Sequence, residues 1–243
     1  MQLKHDIPYA PDHGIRGRLD LILPEEASGC PIVMVIHGGG LQALSKERMT
    51  GVSTFIAEQG WVAVNINYRL LLDHPFPASL EDVLVAYQWI KNTNQEDISR
   101  QDRTRVTLLG ASAGAFLAMM AGLILGRDQV KSIVSISGPS HRYGASDSFI
   151  SGNMDPRLLS APVELVVPEA PPLLSIHSRN DELVKPEESI AIVERMQKAG
   201  GQAELYFYDG PGKQHGIWRD DQTPLRFFQH IEDAIAKFIQ KHC

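Results

Sequence analysis

Apolar residues fall into two alternating patterns along the chain. Short, largely continuous runs rich in Val, Ile and Leu cover 19–23, 32–36, 61–66, 106–109, 133–136, 173–176 and 205–208. Runs of this length without an internal polar period are what strands buried on both faces require. Between them lie stretches whose apolar residues recur three and four apart. Leu80, Val83, Leu84 and Tyr87 form one helical stripe over 79–90, after Pro77 and with Ser79 as candidate N-cap. The segment 114–125 is apolar nearly all round, which predicts a buried helix. Another helix is expected over 186–199, with Pro186 at its start and Gly200-Gly201 past its end. A last one carries Phe228, Ile231, Ile235, Phe238 and Ile239 on one face. Strands alternating with helices predict an α/β fold, a mostly parallel sheet covered by helices. No repeat, linker or low-complexity tract interrupts the alternation, so residues 1–243 read as one domain. The least periodic stretch, 138–172, is punctuated by Ser, Gly and Pro, and a connection of that length is expected to be functional or to hold short elements.

Composition narrows the function classes. A hydrophobic content of 43% is ample for a core and excludes wholesale disorder. Lys and Arg number 23 against 29 Asp and Glu, a net charge of −6 with no basic cluster, which argues against nucleic-acid or anionic-membrane binding. The two cysteines, Cys30 and Cys243, cannot build a disulfide framework or a cysteine zinc site, although a single bridge between them is conceivable. No His-Glu-x-x-His run or other metal-ligand spacing occurs, so neither metal nor cofactor is expected. The start lacks the apolar core of a signal peptide and no run reaches the roughly 18 to 20 apolar residues of a membrane span, so the expected location is the cytoplasm.

The candidate chemistry begins at Gly110-Ala111-Ser112-Ala113-Gly114, a G-x-S-x-G run between a predicted strand and a predicted helix. By itself the pattern occurs by chance, and a glycine-rich turn capping a buried helix is the plainer reading. In this context an abrupt strand-to-helix turn would push Ser112 Oγ out at the carboxyl edge of the sheet, over the free N–H groups of the helix start.

A second glycine run, His37-Gly38-Gly39-Gly40, follows directly on the strand 32–36. Backbone N–H groups there can approach a substrate with no side chain in the way, as an oxyanion demands. The amides of Gly39, Gly40 and Ala113 are the candidate donors. A flexible loop or phosphate cradle is the competing reading, disfavoured because no Gly-Lys-Ser/Thr signature follows.

A serine needs a base, and nine histidines compete. His215 lies in a Gly-rich loop after the last predicted strand, where it can swing over the sheet edge; His37 and His177 are expected to orient backbone or carboxylates, and those at 5, 13, 230 and 242 to be solvated. Asp181, just past the strand 173–176, is the candidate orienting acid, with Glu182 adjacent and Asp209 a further candidate. The chain order Ser112, Asp181, His215 matches the Ser…Asp…His order of α/β-hydrolases. With this triad, activity is expected to rise as His215 loses its proton.

These residues resemble the α/β-hydrolase superfamily, in particular small carboxylesterases and acetylesterases related to its hormone-sensitive-lipase-like and formamidase-like members. The segment from Asn67 to Asp82 (Asn-Tyr-Arg-Leu-Leu-Leu-Asp-His-Pro-Phe-Pro-Ala-Ser-Leu-Glu-Asp) is similar to that family's Tyr-Arg-Leu-Ala-Pro-Glu-His-Pro-Phe-Pro-Ala stretch. Ala170 through Val184 resembles its strand and acid turn, and Leu19-Asp-Leu-Ile-Leu-Pro24 its start. The resemblance implies an α/β-hydrolase fold with a mostly parallel sheet of about eight strands and serine-dependent hydrolysis. Two departures stand out. Leu71-Leu72-Asp73 replaces Ala-Pro-Glu, and Ala115 replaces a frequent glycine. Only 36 residues precede His37, too few for the helical cap of hormone-sensitive-lipase-like relatives. A minimal cap or none implies an open site.

The expected substrate is therefore a small-molecule, short-acyl carboxylic ester, with acetyl esters of carbohydrates one option. Formamidase or other amidase chemistry uses the same machinery, and a non-catalytic ligand-binding module on the same fold is the alternative class. Arg142, Tyr143 and Trp218 are candidate substrate-binding residues. Oligomeric state leaves no mark in the sequence.

Overall fold

A computed structural model describes residues 1–141, 155–210, 215–219 and 224–243. Its strands are β1 (Gln2–Pro8), β2 (Arg18–Leu23), β3 (Ile32–Ile36), β4 (Val62–Ile66), β5 (Val106–Ala111), β6 (Ser132–Ile136), β7 (Leu173–Ser178) and β8 (Ala203–Tyr208). Its helices are α1 (Thr50–Glu58), α2 (Ala78–Asn92), α3 (Glu96–Ser99), α4 (Ala113–Leu125), α5 (Glu187–Lys198) and α6 (Gln229–His242). The eight strands make one sheet in the order β1-β2-β4-β3-β5-β6-β7-β8. β1 and β2 pair antiparallel, β2 and β4 likewise, and every pair from β4 across to β8 is parallel.

The all-apolar runs take the places their composition demands. Alternate residues of β3 point to opposite faces, and each face meets its own core. Met34 and Ile36 pack with Leu80, Val83 and Tyr87 of α2 and Phe116 and Met120 of α4. Val33 and Val35 pack with Val52 and Phe55 of α1 and Ile231, Ile235 and Phe238 of α6. The sheet is thus sandwiched with α2, α4 and α5 on one side and α1 and α6 on the other. α4 is buried along nearly its whole length, as its all-round apolarity predicts.

Three details depart from the sequence reading. β1 carries no apolar alternation because it is an edge strand whose residues are exposed or half-buried, with an irregular register between Lys4 and Ile7. α1 contains Gly51 and the β-branched Thr50, Val52, Thr54 and Ile56, weak helix formers; burial of Val52, Phe55 and Ile56 on one face overrides that preference. Ser79 does not cap α2; Pro77 holds that place and Ser79 is buried inside the first turn. Cys30 and Cys243 are both free thiols.

This topology fixes where a site forms. The chain leaves β3 toward one side of the sheet, to β4, and crosses back to β5 on the other. The loops after β3 and β5 therefore diverge, opening the crevice at the carboxyl ends of strands in which α/β sheets bind ligands. His37–Gly40 and Ser112 follow those two strands directly.

Candidate active site

Ser112 sits at φ 53°, ψ −122°, a left-handed conformation costly for a non-glycine residue. The turn is over-determined. Ser112 N–H donates to the Ile136 carbonyl at 2.8 Å, while its own carbonyl accepts from Ala115 N at 2.9 Å and Phe116 N at 3.1 Å. Glycine is obligatory on both sides: a Cβ at Gly110 would run into the Gly114 backbone, and one at Gly114 into the Ile36 and His37 carbonyls. β5, the turn and α4 are thereby pressed against β3.

His215 Nε2 lies 2.8 Å from Ser112 Oγ, and its Nδ1 lies 2.7 Å from Asp181 Oδ2. Asp181 is the acid that reaches the imidazole. Glu182 is exposed, and Asp209 pairs instead with Arg179 at 3.1 Å. The other Asp181 oxygen, Oδ1, accepts from the N–H groups of Leu183 at 2.9 Å and Val184 at 3.0 Å. Burial by itself would raise the Asp181 pKa. Hydrogen bonds from His177, His215 and the Val184 amide outweigh it and hold the carboxyl well below the usual range. The His215 loop is tied down by Gly216 N–H, which donates to Ser137 Oγ at 3.4 Å. Ser137, at φ 51° just past β6, is held in turn by its own N–H on the Ile176 carbonyl at 2.8 Å.

Three amides are aimed by anchoring the carbonyls of the preceding residues, because C=O and N–H of a trans peptide point in opposite directions. The Gly38 carbonyl accepts from His37 Nδ1 at 2.7 Å and Tyr68 Oη at 3.3 Å, which turns Gly39 N–H away from them. The Gly39 carbonyl takes the amides of Gln42 and Ala43, each at 3.0 Å, which turns Gly40 N–H to the other side. The Ser112 carbonyl lies inside the first turn of α4, so Ala113 N–H points out of the helix start. Gly39 at φ 108° and Gly40 at φ 64° need glycine's freedom, and a Cβ on Gly39 would strike the Ala43 carbonyl.

A cleft of about 480 Å³ opens over these groups, its floor formed by Gly38, Gly39, Gly40, Ala111 and Ser112. Leu44, Met49, Leu183 and Trp218 supply apolar walls, with Arg48 and His215 the charged or titratable ones. Trp218 is held by stacking on Phe227, ring centroids 4.7 Å apart, and by a backbone bridge to the same residue. Arg142 and Tyr143 fall outside the described residues. Arg48, Met49 and Leu183 went unread in the sequence. Leu183 had one signal, its place two residues after the acid.

Several of the other histidines have structural partners. His37 is fully buried and stacked on Tyr68, centroids 4.2 Å apart. His177 is fully buried against Asp181. His13, expected in solvent, instead lies 3.0 Å from the buried Asp82 carboxylate. Among the described residues no group of three His, Cys, Asp or Glu side chains is arranged to hold a metal ion, and no helix is long and apolar enough to cross a membrane.

The chain is similar to known proteins in sequence and in fold. The esterase LipQ of Mycobacterium tuberculosis (strain ATCC 25618 / H37Rv) is 28% identical, the alignment covering 96% of this chain and 61% of LipQ. Esterase LipC of the same organism is 26% identical over 77% of this chain and 53% of its own. The chain thus spans between half and two thirds of the length of these relatives. Among solved structures, a truncated carbohydrate esterase from gut microbiota superposes with a TM-score of 0.80 at 20% identity, covering 100% of this chain and 96% of the other, a likeness of fold. The Prolyl oligopeptidase family model matches residues 152–242, which include Asp181 and His215. The BD-FAE model matches residues 19–146, more than half of the sequence and the part holding both glycine motifs and Ser112. With an α/β-hydrolase sheet and a family model matched from β2 to beyond β6, the chain belongs to the BD-FAE family.

Proposed function

We propose that this chain, acting as one unit over residues 1–243, is a serine hydrolase that cleaves short-acyl carboxylic esters. Ser112 attacks the ester carbonyl while His215 takes the hydroxyl proton. Asp181 accepts from His215 Nδ1–H, keeps the imidazole in the tautomer whose Nε2 is free to accept, and stabilises the imidazolium that forms. The tetrahedral oxyanion is met by the amides of Gly39, Gly40 and Ala113. His215 returns the proton to the leaving alcohol, an acyl group stays on Ser112 Oγ, and water releases it by the same route.

The observation that carries this reading is the continuous hydrogen-bonded line from Asp181 Oδ2 through His215 to Ser112 Oγ, 2.7 Å and 2.8 Å, ending in an open cleft. The names of the relatives, esterases and a carbohydrate esterase, support an ester as substrate and a sugar as one choice of alcohol. The cleft, lined by Leu44, Met49, Leu183 and Trp218, suits a small acyl group beside a bulkier alcohol.

Fluorophosphonate labelling tests the chemistry: the wild-type protein becomes labelled on Ser112, and Ser112→Ala does not. A folded wild type that takes no label overturns the reading. Nitrophenyl acetate, butyrate and octanoate, beside acetylated sugars and N-formylkynurenine, test the substrate class. Preference for octanoate defeats the short-acyl assignment, and preference for the formyl amide replaces ester with amide.

A further inference from the structure

β7 is buried along its whole length, yet it carries two polar side chains on the face that meets α5. Leu173 of that face packs with Ile192 and Met196 of α5, whereas Ser175 and His177, two and four residues on, bring hydroxyl and imidazole into the same apolar layer. All of Ser175, His177 and the facing Ser189 of α5 are fully buried. Buried polar atoms are costly unless paired, and here they are paired in one direction. Ser175 Oγ–H donates to Ser189 Oγ at 2.7 Å. Ser189 lies 2.6 Å from His177 Nδ1, and His177 Nε2 lies 2.9 Å from the Val184 carbonyl and 3.2 Å from Asp181 Oδ2.

The proton positions follow from the partners. A backbone carbonyl can only accept, and Asp181 is held ionised, so Nε2 of His177 carries the hydrogen and donates to both. Nδ1 is then an acceptor and takes the Ser189 hydroxyl, whose oxygen takes that of Ser175. Asp181 Oδ2 thus meets two imidazole N–H groups, from His177 and His215, while Oδ1 meets the amides of Leu183 and Val184. With four donors around about four lone-pair sites, the carboxylate has no rotational freedom left.

We propose that His177 is a positioning residue of the site assigned above, acting on His215 through Asp181. It pins Oδ2 and draws off part of the carboxylate charge that would otherwise fall on the His215 imidazolium. Ser189 and Ser175 keep His177 in the tautomer that does this. No proton moves along the line; its role is to set geometry and charge. Besides Asp181, the charged side chain among the described residues that shares the cleft with His215 is Arg48. The inference rests on the serine-hydrolase reading, and fluorophosphonate labelling of the wild type separates the two: absence of label defeats both, whereas label with the outcomes below defeats this one alone.

The test is the pH profile of kcat/KM for nitrophenyl acetate hydrolysis in wild type, His177→Leu, His177→Gln and Ser189→Ala, each first shown to be folded. Without the His177 N–H, Asp181 holds the imidazolium more tightly, so the acid limb of His177→Leu moves to higher pH, by about 0.5 to 1 unit. The loosened carboxylate lowers kcat about 10-fold with KM within about 2-fold. His177→Gln restores an N–H at similar reach and brings the limb back toward wild type. Ser189→Ala frees the other tautomer and shifts the limb the same way by less. If His177→Leu fails to fold, Ser189→Ala decides. An acid limb that superposes on wild type in the folded variants, or a His177→Gln profile as displaced as that of His177→Leu, overturns the proposal.

Discussion

His215 Nε2 stands 2.8 Å from Ser112 Oγ although 103 residues separate the two in the chain. The contact exists because Ser112 is thrust upward by a strained turn after β5 and His215 is tethered through Gly216 to Ser137 after β6. A hydroxyl and an imidazole acting as one unit lose function together. Ser112→Ala and His215→Ala are each expected to lower kcat by at least about 10⁴-fold, and the double variant by no more than the worse single one. Steady-state kinetics on nitrophenyl acetate checks this, and additive losses would separate the two roles.

Asp181→Asn is expected to leave the fold in place and remove most of the activity, about 10⁴-fold in kcat. The amide oxygen can still accept from Leu183 and Val184, which turns its NH₂ toward His215. His215 Nδ1 must then accept, its hydrogen moves to Nε2, and Nε2–H cannot take the serine proton. The ionised carboxylate also contributes to stability. Its folded pKa is depressed, so that contribution is complete above the unfolded value near 3.9 and is lost as pH falls below it. Thermal melts from pH 5 to 2 are expected to show a steeper acid decline in wild type than in Asp181→Asn.

What was legible in the sequence follows from what each signal depends on. Buried runs such as Ile32–Ile36 are read without neighbours, because burial on both faces leaves no polar position in them. The glycine turns are read because Gly39, Gly110 and Gly114 leave no room for a Cβ. Ser112 is marked by its G-x-S-x-G turn, whereas Asp181 and His215 carry only the weaker mark of a loop at the carboxyl edge, to which chain order adds. β1 depends on its pairing with β2, and α1 on burying Val52 and Phe55, so neither shows in local pattern. The role of Ser189 was invisible for the same reason, since only the packing of α5 on β7 brings it to His177.

Gly39→Ala separates oxyanion geometry from general strain. The new Cβ meets the Ala43 carbonyl, and φ 108° is hostile to alanine, so the amide at 39 must move. A displaced donor is expected to lower kcat about 10²- to 10³-fold with little change in KM. Gly60→Ala is the control: at φ 83° with nothing within 4 Å, it brings backbone strain far from the site and leaves kcat unchanged. Equal loss of kcat in both variants would assign the effect to stability.

His37 links the same loop to pH. Its Nδ1–H donates to the Gly38 carbonyl at 2.7 Å, and Nε2 is buried with no partner among the described residues. Burial, opposed in part by the hydrogen bond to Gly38, lowers the pKa from 6.5 to about 4. The unfolded chain therefore binds this proton first as pH falls, and stability declines between pH 6.5 and 4 and levels off below. The full loss is about 3 kcal/mol, or about 6 to 12 °C in melting temperature for a chain of this size. His37→Asn removes the titrating group, so its melting temperature is expected to vary less over that window, whatever its absolute value. Scanning calorimetry at half-unit steps from pH 7 to 4 compares the slopes. Parallel slopes for the two proteins would show that His37 is not the group being charged, and that the root of the glycine loop tolerates acid.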